Sequence, residues 1–163
     1  MAMGLRKRID TIEELEALLA RAYWIEKNME IAVGWESYVR VSPDQREIVL
    51  GLARESMQHK ATLQRLGMRL GNLDLEAMSA GLGRVDVDLK GKPDRELMDE
   101  IRAHDVLAHG IYKRLLTFVD RDLIRRAWTG DGGPEEFFRV MRELVKAEEG
   151  HLELVSPLAL GAE

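Results

Sequence analysis

Apolar residues return every three or four positions over four stretches of the chain, with polar residues filling the gaps. At about 100° per residue, that spacing lays the apolar side chains along one face of a helix. The first stripe is Leu15, Leu18, Leu19, Ala22, Ile25, Met29 and Val33, and the second is Val49, Leu52, Leu63, Leu66 and Leu70. The third is Leu97, Ile101, Ala108, Ile111, Tyr112, Leu115 and Val119; the fourth is Phe137, Met141, Leu144, Val145, Leu152 and Val155. Long helices are predicted over about 11–39, 43–70, 93–119 and 134–155, with a short one, RDLIRRAW, at 121–128. Apart from a brief VDVDL at 85–89, nothing alternates with the period of a strand.

Proline punctuates this pattern at 43, 93, 134 and 157. The first three fit helix starts and the last fits a stop. In SPDQ (42–45), Ser42 suits the cap and Gln45 can complete a capping box. GKPDRE (91–96) and GDGGPEE (130–136) place acids in first turns, where the helix dipole favours them. A tight turn at 40–42 makes the first two helices antiparallel neighbours. Residues 71–92 are too long for a hairpin loop and suit a crossover. The expected architecture is all-α: one domain over 1–163, an antiparallel four-helix bundle with a long crossover between helices 2 and 3.

Polar residues interrupt the apolar faces. Glu26 falls inside the first stripe and Glu30 at its edge. Ser56 and His59 occupy the gap in the second, with Glu55 on its flank. Asp105 lies within about 60° of the third stripe's centre, with His104 on the other flank. Glu148 sits near the centre of the fourth and His151 at its margin. Burying a carboxylate is unfavourable by several kcal/mol unless something pairs with it. In a bundle, mid-helix positions meet at one level, so Glu26, His59, Asp105, Glu148 and His151 are expected to converge. Three carboxylates in a dry core need cations. A divalent metal supplies them, and a mixed imidazole and carboxylate set suits Fe, Mn or Zn. The alternative is a metal-free bundle whose acids are satisfied by His59, His104, His151 and arginines.

Composition narrows the remaining classes. The chain has 163 residues, 45% hydrophobic and 33% charged, which suits one folded domain. Its net charge of −5 argues against nucleic acid as a partner. The basic GLRKR at 4–8 reads as a solvated arm. There are no cysteines, so thiolate metal sites, disulfides and Cys nucleophiles are excluded. No apolar run is long enough for a membrane span, and no leader segment is visible, so a cytoplasmic location is expected. Neither GLGRVD nor GDGG has the strand–helix setting of a phosphate loop. Trp24 and Trp35 point away from the first stripe and suit a subunit interface.

In this light the chain resembles the ferritin-like superfamily, in particular rubrerythrin-type di-iron carboxylate proteins. Helix count, central crossover and mid-helix acids carry the resemblance over nearly the whole chain. E148-E-G-H151 is an intact Glu-x-x-His, and DVLAHGIY (105–112) resembles the family's E-x-x-A-x-x-x-Y. The resemblance implies a two-metal site with Glu148 bridging, ligands at Glu26, Glu55, His59, Asp105 and His151, and Glu30 and His104 as weaker candidates. It implies two iron ions, with Mn or Zn as substitutes. Oxygen or peroxide would be the substrate, in a peroxidase or ferroxidase reaction. It also implies a homodimer or larger homo-oligomer. Without a cysteine-ligated rubredoxin domain, electrons would come from a separate donor. Helix 2 departs from the pattern: A53-R-E-S56-M-Q-H59 has Ser56 at the bridging-Glu position and Glu55 displaced by one residue, about 100° around the helix. That departure keeps open an iron-storage protein without turnover, or a metal-free bundle with a relic site.

Overall fold

A computed structural model describes residues 8–31, 38–83 and 93–159, with residues 94 and 156–159 by backbone alone. Among the described residues the protein is all-helical. Its elements are α1 (Ile12–Asn28), α2 (Pro43–Arg69), α3 (Leu75–Ala80), α4 (Asp94–Phe118), α5 (Arg121–Ala127) and α6 (Pro134–Ala159). No helix among them is long and apolar enough to cross a membrane.

Local chemistry accounts for most helix ends. Thr11 caps α1, its hydroxyl accepting from the Glu14 N–H at 3.3 Å, and Glu13 and Glu14 lie at the positive end of the helix. At the other end of α1 the chain widens into a π-helical turn over residues 29–31. The predicted continuation to 39 lies largely outside the described residues, as do Val33, Trp35 and the VDVDL stretch. Pro43 opens α2, but Ser42 makes no side-chain cap; the turn closes when the Gln45 N–H bonds the Ser42 carbonyl at 3.0 Å. α6 runs past Pro157 to Ala159 rather than ending before it. A proline in a last turn removes only one hydrogen bond, and the carbonyl it frees can meet water.

The segment between α2 and α4 holds a helix that periodicity did not reveal. Six residues are too few to show a 3.6-residue repeat. Asp74 caps α3 by accepting from the Ala77 N–H at 3.1 Å. Leu75 is fully buried. Glu76 ties the helix to α1: the Tyr23 hydroxyl donates to it, and Lys27 Nζ reaches it at 2.6 Å.

α4 and α6 lie against each other along much of their length, and α1 packs on α2, α3 and α4. Asp105 of α4 stands opposite His151 of α6, and His109 opposite Glu149. Most of the predicted stripe residues are buried, including Leu15, Leu19, Leu52, Leu63, Leu97, Ile101, Phe137 and Met141. Leu18, Ile111 and Val145 are half-buried against them. Ile9 joins this core by pairing with the chain between α4 and α5: its N–H bonds the Phe118 carbonyl at 2.9 Å, and its carbonyl accepts from the Asp120 N–H at 2.8 Å.

Candidate metal centre

Inside this apolar frame lie polar side chains from four helices. Glu26 comes from α1, His59 from α2, Asp105 and Tyr112 from α4, and Glu148 and His151 from α6. All six are buried, with Glu26 and Glu148 each only 1% exposed. Their spacing within each helix explains why they share a face. Asp105 and Tyr112 are two turns apart, and Glu148 and His151 are one turn apart.

Glu148 lies at the middle of the cluster. Its Oε1 is 3.1 Å from His59 Nδ1, and its Oε2 is 3.4 Å from His151 Nδ1. Glu26 Oε1 is 3.2 Å from His59 Nδ1 and accepts a hydrogen bond from the Tyr112 hydroxyl at 2.6 Å. Asp105 Oδ1 is 3.8 Å from His151 Nδ1. The two imidazoles stack with centroids 5.7 Å apart. Two groups of potential metal ligands result, Glu26–His59–Glu148 and Asp105–Glu148–His151, each with one ligand atom per residue lying within 4.8 Å of the others. Glu148 belongs to both.

The other predicted residues are used differently. Glu55 is half-exposed and reaches the outer ring nitrogen, Nε2, of His151 instead of the shared interior. Glu30 pairs with Lys60 Nζ at 2.7 Å. His104 places Nδ1 on the Glu100 carbonyl of its own helix at 2.8 Å. Neither joins the two ligand groups. Ser56, one turn from His59, is buried. Trp24 is half-buried: its indole N–H bonds the Gly83 carbonyl at 2.7 Å and its ring packs on the core. The Tyr112 hydroxyl makes a contact in the cluster that periodicity understated. An aromatic on a core stripe reads as filler, although its two-turn spacing from Asp105 already placed it at the site's level.

Without a metal, the histidines balance the acids. Burial on its own depresses His59, but hydrogen bonds to Glu148 and Glu26 outweigh it and lift the imidazole to about 9. In the same way burial opposes, and the carboxylates of Asp105, Glu148 and Glu55 outweigh, so that His151 is pushed up to about 11. Burial would raise Glu148, yet the two imidazoles facing it hold it at about 2. Burial and the nearby Glu148 charge raise Asp105 to about 7 against the pull of His151. Burial also raises Glu26. Three buried atoms of the cluster, Asp105 Oδ2, Glu148 Oε2 and His151 Nδ1, have no hydrogen-bond partner. Orphaned donor and acceptor atoms are rare in a dry interior unless an ion or water completes them.

The fold and site thus define an all-helical protein with a buried carboxylate–histidine cluster that could hold metal. Compared with known proteins, the chain matches no family model, no curated protein and no solved structure.

Proposed function

We propose that this protein is a ferritin-like, rubrerythrin-type di-metal carboxylate protein whose centre reacts with oxygen or peroxide. The observation that carries the reading is the position of Glu148, whose two oxygens face the Nδ1 atoms of two different imidazoles. A carboxylate so placed could be shared by two cations, one held beside each imidazole. The orphaned atoms on Asp105, Glu148 and His151 support it, because they are the unused ligand atoms of one half. The donor set fits Fe and Mn, and also Zn: three carboxylates with two imidazoles, and no thiolate in the chain.

In this reading Glu26 and His59 hold one ion, Asp105 and His151 hold the other, and Glu148 is shared. Two bound Fe or Mn ions would supply electrons and open coordination positions for the oxidant. Tyr112 fixes the Glu26 carboxylate through its hydrogen bond. The buried apolar side chains around the cluster keep bulk water out. The fold would be an antiparallel four-helix bundle in which α1, α2, α4 and α6 are the ligand helices and the α3 segment lies in the long crossover. Assembly as a homodimer and a separate electron donor belong to the same proposal.

The test is elemental analysis of untagged protein before and after anaerobic Fe(II) loading, with Glu148→Ala and His151→Ala alongside. About two ions per chain, lost in both variants, would support the reading, and hydrogen peroxide consumption would follow as the activity assay. A chain that binds no metal, with variants indistinguishable from it, would sink it. A second reading has its own support. His59 already bonds both Glu26 and Glu148, and Ser56 adds no carboxylate, as expected of a relic site in a non-catalytic bundle. Metal binding without peroxide or oxygen turnover would point instead to iron storage.

A further inference from the structure

The two halves of the candidate centre are not built alike. Both ring nitrogens of His151 face carboxylates, and Nε2 alone is in a hydrogen bond. Its Nδ1 faces Glu148 Oε2 at 3.4 Å and Asp105 Oδ1 at 3.8 Å, while its Nε2 meets Glu55 Oε2. His59 is engaged on one ring nitrogen: its Nδ1 faces Glu26 and Glu148, and no carboxylate among the described residues pairs with its Nε2. Glu55 is the only ligand candidate that contacts a ring from outside the shared interior. Its side chain is 49% exposed, against 6% for His151.

The position of Glu55 follows from the register of α2. Ser56 and His59 are one turn apart and face inward. Glu55, one residue before Ser56, is rotated by about 100° from that face. The rotation that keeps Glu55 out of the shared interior carries it to α6 and to the back of His151.

A carboxylate on Nε2 accepts a hydrogen bond, so it selects the tautomer with the proton on that nitrogen. When a cation takes the place of the Nδ1 proton, the Nδ1 lone pair would face it beside Asp105 and Glu148. The same contact fixes the ring's orientation and makes the imidazole a stronger donor to a cation. Among the described residues no carboxylate supports His59 in this way.

We propose that Glu55 is a positioning residue that makes the two halves unequal, so that Asp105–Glu148–His151 takes its ion first and more tightly than Glu26–His59–Glu148. The proposal rests on the metal reading above. Outer carboxylates on metal-bound histidines typically change affinity by about 10–100-fold, and that is the gap expected between the two steps.

The experiment is an anaerobic Co(II) titration of the full-length, chelator-stripped chain, followed by calorimetry and visible absorption. Glu55→Ala and Glu55→Gln are compared with the wild type. The wild type should bind in two resolved steps. Glu55→Ala should weaken the tighter step by about 10–100-fold and leave the weaker one nearly unchanged. Glu55→Gln keeps an acceptor without the charge and should fall between them. A structural role alone would not move a second readout, the hyperfine-shifted ring N–H proton of His151 in the Co(II) protein. That proton should exchange slowly with solvent in the wild type and faster in Glu55→Ala. Two equal steps in the wild type, or a tighter step unmoved in Glu55→Ala, would overturn the assignment while leaving the metal reading standing. A wild-type chain that binds no Co(II) would overturn both.

Discussion

Tyr112 shows how much a single hydroxyl can matter in this interior. Its ring fills core space, and its O–H satisfies one oxygen of a carboxylate that burial disfavours. Tyr112→Phe keeps the packing and removes the hydrogen bond. Loss of one partner of a buried pair is expected to destabilise the protein by about 1–3 kcal/mol. The check is a urea titration of the metal-free protein, read as a lower midpoint with an unchanged slope. A midpoint that does not move would mean that Glu26 finds another donor. At this scale the sequence was legible wherever a polar residue broke an apolar stripe. Glu26, Asp105 and Glu148 could be picked out because acids fell on or beside every helix's inward face together; any one of them alone has a bland explanation. Glu55 was different. Its residue type and flank position were visible, but which neighbour it would meet depends on how α6 is set beside α2, and no periodicity encodes that.

At the level of elements, two glycines of α2 make opposite demands. A methyl group added at Gly51 meets nothing within 4 Å. Glycine in a helix interior is unfavourable relative to alanine by about 0.5–1 kcal/mol, so Gly51→Ala should stabilise by that amount. A methyl at Gly67 would lie 3.1 Å from both the Leu73 carbonyl oxygen and the Leu75 side chain. Backbone on one side and a fully buried leucine on the other leave little room to yield, so Gly67→Ala should destabilise despite its better helix propensity. Thermal melting of the two variants should therefore shift in opposite directions; a rise for both would mean that α3 can move away from α2. The long helices were readable because each buries one face over several turns. α3 was not, since a single turn and a half carries no repeat; only its Asp74 cap and Leu75 hinted at it. The overrun of α6 past Pro157 has a similar lesson: proline excludes the helix interior more firmly than the last turn.

For the molecule as a whole, the balance of charge inside the core sets how stability should depend on pH. In the metal-free protein the folded-state values of His59 and His151 lie above their ordinary value near 6.5. Their contribution is therefore complete below about 6.5. It is lost as pH rises through about 9 for His59 and about 11 for His151. Glu148 is depressed to about 2, so its contribution holds above its ordinary value and disappears as the medium is acidified toward that point. Asp105 is raised to about 7, and ionising it on the way up to that pH works against folding. The chelator-treated protein should thus be most stable in mildly acidic solution, with melting temperature falling on both sides. A metal bound only to the folded state stabilises it by mass action, about 2.7 kcal/mol at a concentration 100 times its dissociation constant. Since it needs deprotonated imidazoles, saturating Mn(II) should raise the melting temperature more at pH 8 than at pH 6. Melting curves at several pH values, with EDTA and with Mn(II), check both statements; curves that Mn(II) leaves unchanged at every pH would argue for the metal-free reading.

The sequence by itself determined the all-helical class, the long helical stretches, and the set of charged residues that would have to be buried. These follow from local rules: a 3.6-residue repeat, caps and prolines at the ends, and the free-energy penalty that makes an inward Glu conspicuous. The tertiary structure alone decided which oxygens face which nitrogens. It set Glu148 between two imidazoles, gave the Tyr112 hydroxyl to Glu26, and turned Glu55 to the outer nitrogen of His151. Those pairings join residues up to 96 positions apart in the chain. They depend on the rotation and axial offset of whole helices, which arise from packing across the core and leave no trace in the order of residues along any one helix.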